Sequence, residues 1–549
     1  MTLERVFDGP LMSPHRRLPS LPFGYLNPMA QRNQYLEREV KLAADLSFVV
    51  PDLSEIVGGT TPLPAQDLRT TYFDTSDMRL WERGLTFRHR VGEVGGVGKW
   101  TLKLPEESAR ETLDRTELSW ESRRAEMPTE AINLLHGVVR RATLVPIVEL
   151  ASARKRLVLR DSGGSSLAEI DDDIVTVRSG TRKGFTFRQI ELEFASNEAP
   201  TGTRLDAVDA VLNELKQAGA CPDGEGKLSK SLGLGNESKL QSKVTKKSRK
   251  VPLAEVVRLS IAQGLNQLLV NDVRLRLNPL DLQPHAIHQA RVATRRLRSD
   301  LKTFSTVLKP AWLDRTKTEL KWLGDALGQV RDLDVLAERL FGDDRTIPPK
   351  DDGQAAIHTA LEQQRTIASL ELREVLNSDR YLQLLEHLRH DAAAPPFTLN
   401  VSTKSDTRRS LVIDGALLVL PSLVRSQWKA LHHRVHKAGA HPNVTQLHQI
   451  RIASKQLRYA AEAATPVIGK DARRTAKGAE RLQTILGEHH DAVAAEEWLG
   501  RSIPRNEEAA NFVAGELTVQ QQTIQQEMTR QWRKAWTKLN REKVLRWLG

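Results

Sequence analysis

Glu37, Glu39 and Lys41 stand at alternate positions in the segment YLEREVKLAAD, so an extended strand turns all three side chains to one side. Same-face neighbours lie roughly 7 Å apart, and at an effective dielectric near 20 two carboxylates at that spacing repel by about 2 kcal/mol. Positive groups must offset this repulsion, and they recur at the same spacing: Arg88 and Arg90 in LTFRHR, Lys103 in WTLKL, Arg154 and Arg156 in ASARKRLVL. Glu191 and Glu193 in FRQIELEF repeat the first carboxylate pair, while Glu117 in DRTELSWE and Glu169 with Asp171 in LAEIDDD add further acids. Three successive aspartates leave the register of that last strand open between Asp171 and Asp172. A half-exposed sheet also alternates charged with apolar residues. Repetition along several segments, with acids and bases segregated, instead favours charges turned into a closed barrel. There, acids hold Mg²⁺ or Mn²⁺ through oxygen and bases hold phosphate. Phosphoryl transfer is stabilised mainly by positioning and charge neutralisation, so the set fits attack by water on a phosphoanhydride. No nucleophilic Ser or Cys constellation is evident.

A second constellation lies further along the chain. On a helix His288, Arg291, Arg295 and Arg298 fall within about 80 degrees of one another, and His448, Arg451, Lys455 and Arg458 reproduce the stripe. The segments HQARVATRRLRSDL and HQIRIASKQLRYAA are followed at near-equal offsets by LGQVRDLDVLAERL and LGEHHDAVAAEEWL, which marks one duplicated unit. Like charges at three and four spacing cost a helix about 0.2 to 0.5 kcal/mol per pair. A cost paid twice points to a ligand that supplies the missing negative charge. The second copy is thinner in charge, with Lys455 and Gln456 for Arg295 and Arg296, and His490 for Arg331.

The elements that must carry these residues differ between the halves. From Tyr35 to about Phe194 short segments alternate with period two and break at Gly and Asp clusters, an antiparallel β pattern. The stretch 121–150 departs from it and reads as a helical insertion. TRLDAVDAVLNELKQAG reads as one amphipathic helix, and the lysine-rich stretch 236–252 as a solvated linker. From about Pro252 onward apolar residues recur at three and four spacing with prolines near element boundaries, a helical pattern. Each copy of the repeat is expected to form a bundle of about four helices. With 549 residues the chain needs more than one core. No apolar run is long enough for a membrane span, residues 1–32 read as a disordered leader, and the expected location is cytoplasmic. Cys221 is the only cysteine, which excludes an internal disulfide and a cysteine-rich zinc site. A net charge of +12 favours polyanionic partners.

The Glu37, Glu39 and Lys41 start, YFDT, the strand with Arg88 and Arg90, TLK, ELE and SKS resemble, in order, the CYTH domain of the triphosphate tunnel metalloenzymes. The duplicated histidine-led helices resemble the CHAD domain, the conserved-histidine α-helical domain often fused to CYTH. The resemblance implies a multidomain α+β chain: an eight-stranded antiparallel β tunnel over residues 33–235 and an all-α domain of duplicated four-helix bundles over 253–549. It also implies Glu37, Glu39 and Lys41 as catalytic, and Glu37, Glu39, Glu191, Glu193 and Asp171 as holding Mg²⁺ or Mn²⁺. Arg88, Arg90, Lys103, Arg156 and Lys230 would bind substrate phosphates. His288, Arg291, Arg295, Arg298, His448, Arg451, Lys455 and Arg458 would bind polyphosphate. The function expected is a metal-dependent inorganic triphosphatase beside a polyphosphate-binding domain, with a location at polyphosphate granules. Alternatives are a non-catalytic polyphosphate-binding protein, or adenylate cyclase or thiamine triphosphatase activity in the tunnel. Nucleic acid fits the charge, but base-stacking aromatics are few and scattered. Oligomeric state is left open.

Overall fold

The computed structural model describes residues 32–549 apart from 94–95, 106–112, 123–125, 195–201, 236–250, 279–281, 343–348, 350, 399–415 and 505. The expected leader and nearly all of the expected linker lie outside the described residues. The chain divides into two compact units, one within Arg17–Gln241 and one within Ser242–Gly549.

Eight strands build the first unit: β1 (Asn33–Ala44), β2 (Gly59–Asp74), β3 (Thr86–Val91), β4 (Gly98–Pro105), β5 (Leu113–Ser122), β6 (Val145–Arg160), β7 (Ser166–Val177) and β8 (Thr186–Phe194). Their order is β5-β4-β3-β2-β6-β7-β8-β1, and pairing of β1 with β5 closes the ring. All these pairings are antiparallel. β1 accomplishes the closure by pairing with β5 over its first half and with β8 over its second. A two-residue strand, β9 (Cys221–Pro222), adds to the edge of β1.

The barrel is polar within and apolar without. Leu42, Leu159, Ala168, Ile170, Ile190 and Leu192 form a buried cluster with Val208, Val211 and Leu215 of α3 (Thr203–Gln217), so this part of the core lies on the outer wall. Phe73, Phe87 and Trp100 pack on one another at 4.9 to 6.4 Å. The helical insertion shrinks to α1 (Thr129–Leu134) and α2 (His136–Val139), because β5 continues to Ser122 and β6 begins at Val145. A last short helix, α4 (Lys227–Leu232), lies within this unit.

The second unit is helical: α5 (Leu253–Leu277), α6 (Pro284–Thr303), α7 (Pro310–Phe341), α8 (Asp352–Asn377), α9 (Asp379–Ala393), α10 (Ala416–Ala438), α11 (Val444–Ile468), α12 (Lys470–Ser502), α13 (Glu508–Leu539) and α14 (Glu542–Leu545). Prolines at the first turns of α6 and α7 start those helices without losing a hydrogen bond. Asn443 and Gln446 close a capping box at the start of α11. The duplicated bundles share apolar surface: Leu336 and Leu340 of α7, Ile357 and Leu361 of α8, Ala495 and Leu499 of α12 and Val513 and Leu517 of α13 form one cluster. Helix α6 of the first copy also packs on α11 of the second. Among the described residues no helix is long and apolar enough to cross a membrane.

Candidate functional site

Strand register places opposite charges side by side within the barrel. Glu37 faces Arg115 across β1 and β5, and Lys41 faces Glu191 across β1 and β8. Lys103 faces Glu117 across β4 and β5, and Arg156 faces Asp171 across β6 and β7. These side chains line a cavity of about 860 Å³, together with Arg88, Arg90, Arg154, Glu169 and Glu193.

The cations interleave with the acids. Lys41 Nζ lies 2.9 Å from Glu39 Oε1, an ion pair whose angle makes no hydrogen bond, and 3.3 Å from Glu191 Oε1. Lys103 donates to both oxygens of Glu37 and stands 3.2 Å from Glu117. Arg154 forks onto Asp173 at 2.7 and 2.9 Å and also contacts Asp171 and Glu191. Arg156 donates to Glu169 at 2.6 Å. Arg90 donates to Thr70 at 3.1 Å, and Arg88 stands 4.0 Å from Glu117.

Structure settles two points that sequence left open or missed. Asp171 and Asp173 turn inward with Glu169, while Asp172 turns outward onto Arg188 at 2.6 Å. The lysine of the SKS motif, Lys230, is not in the cavity wall: its ammonium pairs with Asp223 at 2.5 Å. Lys227, three residues earlier on α4, lies there instead, bridging Glu191 at 2.5 Å and Asp173 at 2.8 Å. No sequence signal separates the two lysines, since three-residue spacing puts both on one side of a short helix. Lys227→Ala should lower kcat/KM for a linear triphosphate by about 100-fold, whereas Lys230→Ala should stay within about threefold of wild type. Steady-state phosphate release measures both, and a larger loss for Lys230→Ala would reverse their placement.

Acids outnumber their cations at one part of the wall. Burial, with Asp173, Glu191 and Glu169 outweighing Arg154, raises Asp171 to about 7. Burial and then Glu37 raise Glu193 to about 7. By contrast, although burial opposes it, Lys103 and Arg88 hold Glu117 at about 2, and Lys227, Lys41 and Arg154 hold Glu191 well below the usual carboxylate range. Asp171 Oδ1 is buried without a hydrogen-bond partner, and Glu193 forms no ion pair among the described residues. A divalent cation would relieve this crowding, so the donor chemistry fits one. In the described residues no three such ligands are gathered at metal spacing, because lysine and arginine heads stand between the carboxylates.

These raised values carry a sign for stability. Folded Asp171 and Glu193 keep protons that the unfolded chain loses near pH 4, so their contribution is complete below about pH 4 and is lost as pH rises through about 7. An Asp171→Asn, Glu193→Gln variant should therefore gain in melting temperature relative to wild type between pH 5 and pH 8, without divalent metal. An equal difference at both pH values would sink the assignment.

The helical stripes also meet. Arg291 and Arg295 of α6 lie close enough to Arg451 and Lys455 of α11 to shift their ionisation. Burial, then Arg295, Arg451, Arg291 and Arg298, hold the Lys455 ammonium well below its usual range. Arg295, Arg298 and Lys455 form no ion pair among the described residues, and Arg295 Nε is buried without an acceptor. Arg291 reaches Asp332 at 2.6 Å and Arg451 reaches Asp491 at 3.8 Å. The glycine of each LG pair, Gly328 and Gly487, lies against the guanidinium of Arg291 and of Arg451. His288 lies near Arg331, and His448 near His490. Arg458 stands apart in character, neutralised by Glu462 and Glu480 at 2.8 Å each.

Residues 260–500 match the family model described as the CHAD domain. The uncharacterized protein Rv2226 of Mycobacterium tuberculosis is 30% identical over 486 residues, covering 85% of this chain and 88% of that protein. The chain belongs to one family with that protein and carries a CHAD domain. Among solved structures, the CHAD domain from the plant Ricinus communis covers 54% of this chain and 95% of its own, at 24% identity and a TM-score of 0.43. HpAC1 from Hippeastrum, described as having a dominant triphosphatase activity, covers 35% of the chain and 93% of its own, at 17% identity and a TM-score of 0.23.

Proposed function

We propose that the barrel is a metal-dependent inorganic triphosphatase acting on tripolyphosphate or a related linear triphosphate, and that the helical domain binds longer polyphosphate. One observation carries this reading: a closed barrel whose interior is lined by acids and bases set opposite one another by strand register. A compact polyanion that enters with a divalent cation matches that wall, its phosphates facing the bases and the cation facing the acids. Arg88, Arg90, Lys103, Arg156 and Lys227 would hold phosphate oxygens, and Lys41 would orient the Glu39 and Glu191 carboxylates. Glu37, Glu39, Glu191, Glu193 and Asp171 would hold Mg²⁺ or Mn²⁺, which neutralises charge developing on the phosphoryl group. The attacking nucleophile is water, and the bond broken is a phosphoanhydride.

A non-catalytic polyphosphate receptor is the second reading, favoured by the basic heads that stand between the tunnel carboxylates. Phosphate release from tripolyphosphate, thiamine triphosphate, ATP and long polyphosphate, each with Mg²⁺ and with Mn²⁺, separates the two. Release from tripolyphosphate fastest of the four supports the proposal. Retained polyphosphate binding with no release under either metal supports the receptor. Cyclic AMP formed from ATP would reassign the tunnel to a cyclase, and a preference for thiamine triphosphate would move the substrate to that head group.

A further inference from the structure

The two copies of the helical repeat differ where they face the basic groove. In the first copy His288 of α6 lies near the guanidinium of Arg331 on α7, which stays charged at every working pH. In the second copy His490 of α12 takes the place of Arg331. Its Nδ1 lies 3.3 Å from Nδ1 of His448 on α11, with ring centroids 4.6 Å apart. Two imidazole nitrogens at that distance make a hydrogen bond only if one donates and the other accepts, so at least one ring is neutral.

The neighbours explain why a proton is missing. Arg451 and Lys455 of α11 and His489 of α12 act on the pair. Asp491 is drawn to Arg451 and also lies near Arg339 and Asp332 of α7. Arg291 and Arg295 of α6 add to the positive field on Arg451 and Lys455. Helix α13 presents uncharged Gln521 to Arg339. The acids are engaged by arginines and the pair faces mainly cations. Burial, followed by Arg451 and His448, holds His490 down at about 3, and burial with Arg451 and Lys455 lowers His448.

We propose that His448 and His490 form a phosphate subsite that takes up a proton when it binds, so the second half of the groove grips polyphosphate more tightly as pH falls. A phosphate oxygen entering beside the pair offsets the repulsion from Arg451 and Lys455, and the second imidazole nitrogen becomes a donor. In the first half Arg331, held by Glu338 at 2.9 Å, keeps its charge without that proton. The inference rests on the reading of the helical domain as a polyphosphate binder.

Calorimetric titration of the full chain with long-chain polyphosphate tests it, at fixed ionic strength, with EDTA to stop metal-dependent turnover, at pH 6 and pH 8. Buffers of different ionisation heat report the protons taken up. Wild type should bind about tenfold tighter at pH 6 than at pH 8 with net proton uptake. His490→Arg should change by less than about threefold and bind more tightly than wild type at pH 8. His490→Gln, similar in size and unable to take a proton, should bind weakly at both pH values, and its melting curve reports that it is folded. Equal pH ratios in wild type and His490→Gln overturn the subsite while leaving polyphosphate binding intact. A wild type that binds polyphosphate at neither pH overturns the reading of the groove, and the subsite with it.

Discussion

The Glu37→Gln, Glu39→Gln double variant should release phosphate from tripolyphosphate at least about 1,000-fold more slowly than wild type. Glutamine preserves volume and most hydrogen-bonding capacity, so the change isolates charge. Glu37 accepts from Lys103 at 2.5 Å and Glu39 pairs with Lys41 at 2.9 Å. Removing both carboxylates leaves two buried ammonium groups short of counter-charge and deprives a divalent cation of two oxygen donors. Phosphate itself should still be attracted, since the wall becomes more positive. The expected signature is a collapse in kcat with KM unchanged or lowered, and with polyphosphate retention by the helical domain unchanged. Turnover within tenfold of wild type would place the chemistry elsewhere in the chain.

The Arg295→Gln, Lys455→Gln variant should show opposite signs for binding and stability. These cations come from different copies of the repeat, act on one another, and form no ion pair among the described residues. Their neutralisation should weaken long-chain polyphosphate binding by at least about 100-fold and flatten its dependence on salt by about one unit of slope per charge removed. The free protein should nevertheless melt at a higher temperature, because a mutual repulsion and the burial of two unpaired charges have been removed. Filter binding across a salt series and thermal denaturation give the two readings. Loss of both binding and stability would mean that the cations hold the helices together and do not serve a ligand.

Much of the tunnel was legible in sequence because strand geometry is a two-state rule. Once YLEREVKL is a strand, Glu37, Glu39 and Lys41 must share a face, and alternation alone predicts the matching arrays with Arg88 and Arg90, and with Glu191 and Glu193. Alternation does not say which face is inside, and three aspartates in a row satisfy either choice. The decision for Asp171 over Asp172 came from the pairing of β7 with β6 and β8, which set Asp171 opposite Arg156 and Glu191, while Arg188 captured Asp172 on the outside. Lys227 was hidden for a related reason. Lys227 and Lys230 sit on one short helix, and only the seating of that helix aims one ammonium at Glu191 and the other at Asp223.

In the helical half the duplicated stripes were legible from 3.6-residue periodicity, because a stripe is a property of one helix. Their meeting was not, because the contact between α6 and α11 depends on how two distant segments pack. The sharing of one apolar cluster by α7, α8, α12 and α13 is likewise a tertiary outcome. By itself the sequence determined two modules, one polar-lined barrel and one repeated helical domain, and the acids and bases that each gathers on one face. Tertiary structure decided which acids and bases become neighbours, which lysine enters the tunnel, and that His448 finds His490 where His288 finds Arg331. Periodicity orients side chains about their own backbone, whereas an ionisation state depends on the charges that other segments bring within a few ångströms.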